Sequence, residues 1–166
     1  MCYVCEEYTI KLPAVICDSD LELIEVNDLS PAGHRKAVEQ FAYYFRREMD
    51  FSFVQYSASE PSGGRFEPYI PTVAYLFTNT GFLHYNKSGK STLRAMGACC
   101  FRKREREDGS EAWELDWVWV HPFKRRQGIL SGHWDVFKRK FGEFTLCLPV
   151  SDGMKKFLET AGVGKG

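Results

Sequence analysis

Val118-Trp119-Val120-His121-Pro122-Phe123-Lys124-Arg125-Arg126-Gln127-Gly128-Ile129-Leu130-Ser131 decides how the rest of this chain is read. Residues 117–120 are aromatic and β-branched, side chains that suit a pleated, half-buried surface, and they predict a strand. Pro122 stops it, because proline cannot donate to a sheet ladder. Apolar residues then recur at Ile129, Leu130, His133/Trp134, Phe137 and Phe141, which is helical spacing. Residues 125–131 therefore wrap over a helix N-terminus, where unpaired amides and the positive end of the helix dipole attract anions. Gly128 lets the backbone come close to such a ligand. Arg125 and Arg126 add charge suited to phosphate. The competing reading is a surface connection with solvated arginines.

Working outward, 166 residues suit one domain, residues 1–166, with a real core. Hydrophobic content of 44% and aromatic content of 15% exclude a disordered chain. The formal net charge is +0, so the global balance calls for neither nucleic acid nor a membrane. The mixed-sign run at 102–108 reads as a solvated hairpin end. No apolar run reaches the length of a membrane span. No basic stretch followed by an apolar one opens the chain, so no signal peptide is expected and the cytoplasm is the expected location. The cysteines are Cys2, Cys5, Cys17, Cys99, Cys100 and Cys147. In this setting they are expected as free thiols rather than a disulfide framework. Cys2-x-x-Cys5 lacks the second ligand pair that a zinc site needs, so no metal is expected. Cys99 and Cys100 are adjacent in a strand pattern, which points them to opposite faces.

The remaining elements follow from periodicity and punctuation. Residues 8–12 alternate as a first strand that Pro13 ends, and residues 21–26 suggest a second short strand. Ser30-Pro31 signals a helix start, with Ser30 as the cap. Ala37, Val38, Phe41, Ala42, Tyr44, Phe45 and Met49 then form a wide apolar stripe on a helix over residues 31–49. Residues 57–71, rich in Ser, Gly and Pro, form a long loop that could shape a substrate entrance or simply be a surface loop. Residues 72–78 are a strand, Asn79-Thr80-Gly81 is a turn signal, and residues 82–85 read as the antiparallel partner. Strands follow at 93–101 and 113–120, a helix at 128–141, a strand at 144–150 and a last helix at 153–160. The result is an α+β chain with a mixed, mostly antiparallel central sheet flanked by helices.

On these residues the stretch 125–130 resembles the acetyl-CoA motif of the GNAT superfamily of N-acetyltransferases, Arg/Gln-x-x-Gly-x-Gly/Ala. Arg125 and Gly128 match, and Leu130 stands where a small residue is usual. The likeness in element order extends over residues 8–163 and implies a GNAT-like acyl-CoA acyltransferase fold. The family usually closes with two further strands, which are expected here to be lost, shortened or supplied by a second subunit, as in a homodimer. A second similarity joins Arg125-Arg126-Gln127 and Pro149-x-Ser151-Asp152-Gly153 to the end of the sister-chromatid cohesion acetyltransferases. Those enzymes modify protein lysines and carry a zinc finger that this sequence does not complete.

The resemblance implies acetyl-CoA as co-substrate and direct transfer of its acetyl group to an amine of a small molecule or a protein. The implied cofactor-binding residues are Val118, Trp119, Val120, Arg125, Arg126, Gln127, Gly128, Ile129, Leu130 and Ser131. Amides of residues 126–131 would hold the pyrophosphate, and the strand edge at 118–120 would hold the pantetheine arm. Acetyl transfer also needs a base for the amine and a proton for the leaving thiolate. Glu114 and Asp116 alternate with Val118 and Val120 and are expected on one face with them. Glu114 matches the position of the family's glutamate base, with Asp116 as second choice; surface ion pairs are the alternative role for both. The family's usual acid is a tyrosine on the last helix, which residues 154–159 lack. Ser151 is the candidate there, with Asp152 beside it. His121, before Pro122, is expected as a turn residue, and His133 and Trp134 as packing residues. Two other readings stand: a non-catalytic GNAT-like domain that binds acyl-CoA or a protein partner, and an interaction domain that binds no CoA.

Overall fold

Two long antiparallel strands carry the sheet: β3 (Thr72–Tyr85) and β4 (Ser91–Glu105). The computed structural model describes residues 10–17, 21–59, 70–85, 90–147 and 151–160, with the backbone alone for 79–85. The other elements are β1 (Ala14–Cys17), β2 (Leu23–Val26), α1 (Ala32–Met49), β5 (Glu111–Val120), a 3-10 turn (Pro122–Lys124), α2 (Ile129–Phe141), β6 (Thr145–Leu146) and α3 (Asp152–Thr160). The strand order is β2-β3-β4-β5-β6, with β1 on the stretch of β4 that β5 does not cover. All pairings are antiparallel except β5 with β6. The sheet is mixed, mostly antiparallel, and helices flank it, as the α+β reading of the sequence requires.

Strand alternation divides the core into two layers. On one face, α1 buries Ala37, Val38, Phe41, Ala42 and Phe45 against Ala74, Leu76, Ala98, Cys100, Trp117 and Trp119. On the other, α2 and α3 bury Trp134, Phe137, Phe141 and Met154 against Tyr75, Phe77, Cys99, Phe101 and Leu115. Cys99 and Cys100 do face opposite sides. Phe137 is fully buried, with its ring 5.0 Å from those of Tyr75 and Phe101. Truncating a phenylalanine in such a site costs about 3–5 kcal/mol. Among the described residues, no helix is long and apolar enough to cross a membrane.

Several elements differ from the sequence reading. The strand expected at residues 8–12 begins instead past Pro13; residues 8 and 9 lie outside the described chain. The Pro13 carbonyl accepts from the Ala95 amide at 2.9 Å, so proline opens the pairing and its missing N–H falls at the strand start. Asn79-Thr80-Gly81 is not a hairpin turn. β3 runs through it, and β4 accompanies it from Thr72↔Arg102 to Tyr85↔Ser91, absorbing the irregularity as register shifts. Ser30 does not cap α1. Its hydroxyl accepts from the Asn27 amide at 2.9 Å, and Pro31 takes the cap position. The solvated hairpin end expected at 102–108 is β4 as far as Glu105, and Arg102 is fully buried. The last strand shortens to β6, and residues 148–150, 60–69 of the long loop, Cys2, Cys5 and the tail from 161 lie outside the described chain.

Candidate functional site

The site begins with a change of phase in β5. Cys100 pairs with Trp117 and Phe101 with Leu115, so one step on β4 spans two on β5 and Asp116 is the extra residue of a β-bulge. Before the bulge, Trp113 and Leu115 face α2; after it, Val118 and Val120 do, while Trp117 and Trp119 face α1. The expectation that Glu114, Asp116, Val118 and Val120 share one face therefore fails. A strict period of two does not survive an inserted residue.

β6 pairs with β5 at Glu114 and Leu115, before the bulge. Beyond it a cavity of about 880 Å³ follows the strand end. Val118, Trp119 and Val120 line it, with Lys124, Arg125, Arg126, Gly128, Ile129, Leu130 and Ser131. α1 contributes Phe45, Glu48 and Met49, and the α3 end contributes Ser151, Asp152, Met154, Lys156 and Phe157. Every residue expected at a cofactor site lies on this wall except Gln127, whose side-chain amide donates to the Phe123 carbonyl at 2.9 Å.

The loop has an unusual backbone. Arg126 has φ +62° and Gly128 φ +79°. Glycine takes that conformation freely, while an arginine rarely does. Gly128 is the N-cap of α2 and no side chain caps that end. The first intrahelical bond runs from the Gly132 amide to the Gly128 carbonyl at 2.8 Å, so the amides of Ile129, Leu130 and Ser131 have no partner within the helix. With Lys124, Arg126 and Lys156 on the same wall, this end of the cavity suits an anion.

Arg125, on the same wall, is engaged by other groups of the protein. Its guanidinium holds both oxygens of Glu48, at 2.6 and 2.7 Å, and its Nε donates to the Val120 carbonyl at 2.8 Å. It also lies 5.6 Å from the centre of the Trp119 ring. His121 behaves as a turn residue: Nδ1 accepts from the Phe123 amide at 3.1 Å. Partial burial, then Arg125 and Lys124, hold its pKa below the ordinary value. His133 stacks on Phe77, and Trp134 packs between Phe144 and Phe157.

The candidate bases stand elsewhere. Asp116 has a side chain 1% exposed, ion-paired with the fully buried Arg102 and with Arg104 at 2.8 Å. Glu114, 22% exposed, is 3.4 Å from Arg104 and lines a separate polar groove of about 520 Å³ beside Thr145. Cys147 hydrogen-bonds Glu114; burial first, then that bond, push its thiol up to about 12, so it stays protonated. Ligand atoms of Glu114, Asp116 and Cys147 lie within 4.8 Å of one another, a donor set that could gather a cation. Two guanidinium groups already hold the oxygens of Asp116. Ser151 does line the main cavity. Its hydroxyl accepts from the Met154 amide at 3.2 Å, leaving its proton to donate.

The α1 wall was missed from sequence, although a signal existed. Phe41, Phe45, Glu48 and Met49 are spaced as one helical stripe, so an acid stands in an apolar face. No family model and no curated protein matches this chain. Solved structures do. It is similar to a probable acetyltransferase at 16% identity and TM-score 0.55, over 88% of this chain and 92% of that one. It is similar to the xEco2 acetyltransferase domain bound to a CoA conjugate at 17% identity and TM-score 0.55, over 85% and 87% of the two chains. Another structure of that domain aligns at 17% identity and TM-score 0.52, over 90% of each chain. At such identities the likeness is one of fold.

Proposed function

We propose that this chain, whose fold is that of the GNAT-superfamily N-acetyltransferases, binds acetyl-CoA and transfers its acetyl group to an amine. The observation that carries the reading is the cavity that joins an uncapped helix N-terminus, three cations and the end of β5 beyond its bulge. In this reading, the Ile129, Leu130 and Ser131 amides with Arg126, Lys124 and Lys156 hold the phosphates. The apolar wall of Val118, Val120, Ile129 and Leu130 takes the pantetheine arm. Bound acetyl-CoA supplies the activated acyl group. An xEco2 domain in complex with a CoA conjugate supports a CoA ligand on this fold.

The chain's own residues supply the proton chemistry. Glu114 is four residues before Val118, but across the bulge their β4 partners, Arg102 and Cys99, are three apart, about 10 Å along the strand. It therefore serves as base through intervening water rather than by touching the amine. Asp116, held by two arginines, serves to fix the bulge. Ser151 stands on the cavity wall with a hydroxyl proton to hydrogen-bond the leaving thiolate, which takes its own proton from water. The acceptor is an amine on a small molecule or a protein, since fold does not fix substrate. The distance of both carboxylates from the cavity favours a second reading, a domain that binds acyl-CoA without turnover.

Titration calorimetry with acetyl-CoA tests the first step. Micromolar binding abolished by Arg126→Glu with Gly128→Asp supports the site; no binding by the intact chain overturns both CoA readings. A screen of amine acceptors follows. If Glu114 is the base, Glu114→Gln lowers kcat/KM about 10²–10⁴-fold, the usual range for losing such a group. Binding without turnover for any amine leaves the second reading.

A further inference from the structure

We propose that Glu48 of α1 is a positioning residue for the anion loop: through Arg125 it holds residues 125–128 in the shape that turns the N-terminus of α2 into the cavity. The inference rests on the cofactor reading above and adds to it a residue from the opposite face of the sheet. The loop contains two left-handed residues within three positions, and one of them is an arginine, which rarely adopts that conformation and keeps it where the surrounding structure determines it. Something outside the loop must therefore hold it.

The adjoining residue is held at three points. Arg125 grips both Glu48 oxygens, at 2.6 and 2.7 Å, in the two-pronged geometry that fixes direction as well as distance. Its Nε holds the last carbonyl of β5 at 2.8 Å, and its plane lies over Trp119. α1 itself is fixed to the sheet by Phe41, stacked on Trp119 at 5.6 Å. The carboxylate is thus anchored to the same strand whose end it braces. An isolated exposed ion pair would contribute little. This one joins three elements around a strained turn.

A bracing role for Glu48 and simple electrostatic repulsion lead to opposite effects on binding. Glu48 is a negative charge on the wall of a cavity read as a phosphate site. If it only repels the ligand, Glu48→Gln strengthens acetyl-CoA binding. If it braces the loop, Glu48→Gln weakens binding despite the favourable charge change. Asp152, also on the wall, has a side chain 96% exposed, and its ion pair is 3.9 Å from Lys155 on its own helix. Asp152→Asn removes the same charge without touching the brace.

Acetyl-CoA affinities of the intact chain, Glu48→Gln and Asp152→Asn are compared by calorimetry, with thermal midpoints recorded on the same samples. The expected result is a loss of fivefold or more for Glu48→Gln and an equal or tighter affinity for Asp152→Asn. Amide exchange gives a readout that needs no ligand. The Gly132 amide, bonded to the Gly128 carbonyl, and the Lys124 amide, bonded to the His121 carbonyl at 2.8 Å, report the loop's closure. Both exchange at least tenfold faster in Glu48→Gln, while core amides of β4 do not change. Unchanged or tighter binding by Glu48→Gln overturns the proposal, as does unchanged exchange. If the intact chain binds no acetyl-CoA, the cofactor reading falls, and amide exchange alone supports or overturns the brace.

Discussion

Removing the Asp116 carboxylate would separate its two candidate roles. Its side chain is 1% exposed and bonds to Arg102, itself fully buried, and to Arg104 at 2.8 Å. In Asp116→Ala the Arg102 guanidinium keeps the Gln55 carbonyl, at 2.6 Å, and loses the Asp116 carboxylate. Breaking a buried ion pair by removing one partner costs about 3–5 kcal/mol. Against a total stability of about 5–15 kcal/mol, that is a large fraction. For a chain of this length it lowers Tm by roughly 6–20 °C, at about 2–4 °C per kcal/mol. Asp116→Asn keeps an acceptor oxygen and loses less, about 1–3 kcal/mol. Replacing both partners, in Arg102→Met with Asp116→Leu, recovers most of the loss, because the desolvation cost leaves with the charges. Urea unfolding of the parent and the three variants, read as midpoints at constant slope, measures this directly. A midpoint for Asp116→Ala within error of the parent, together with lost turnover, would refute the reasoning and make Asp116 a base.

Gly97 faces Val120 across the β4–β5 ladder, and a Cβ there would meet the Trp119 carbonyl at 2.4 Å and the Val120 Cα at 2.9 Å. Backbone cannot give way cheaply, so Gly97→Ala should cost about 1–3 kcal/mol in urea unfolding and weaken acetyl-CoA binding by displacing the end of β5; an unchanged midpoint and affinity would count against this. Burial holds the His133 imidazole below its ordinary 6.5, against the opposing pull of Glu22. Its contribution to stability is complete above about pH 6.5 and is lost as pH falls below that value, because the unfolded chain takes up the proton first. Midpoints measured at about pH 7.5 and pH 5 should fall further for the parent than for His133→Phe, and equal losses would contradict it.

What was legible in the sequence is local. The α1 stripe, the strand-loop-helix unit ending in Gly128 and Ile129, and the opposed Cys99 and Cys100 all follow from periods of 3.6 and 2. What was not legible depends on partners distant in the chain. Arg102 opens a run of seven charged residues, and nothing near it indicates burial. Its place follows from Asp116, fourteen positions on, and from the Gln55 carbonyl. Asn79-Thr80-Gly81 has the composition of a turn, but β4 supplies a ladder along β3 from Thr72 to Tyr85 that carries the strand through it. Arg125 has the right chemistry for phosphate and the right place in the motif. Its engagement is decided by Glu48, seventy-seven residues earlier.

The bulge at Asp116 connects these observations. An extra residue in a strand buried on both faces shifts every later side chain to the other face, so it persists only if something fixes its position. Here the inserted residue is an acid held by two arginines of β4, and an apolar residue at 116 would gain nothing from staying in place. β6 keeps company with β5 only up to Leu115. Past the bulge, Trp119 turns to the α1 rings while Val118 and Val120 turn to the cavity. The buried ion pair therefore acts on the cavity through geometry. It sets the phase of the strand whose end forms the cavity wall, and Arg125 then ties that end to α1 and to the loop. In this arrangement Asp116, which looks catalytic in the sequence, is held in a buried ion pair, and the cavity wall is mostly apolar side chains with backbone amides at the α2 end.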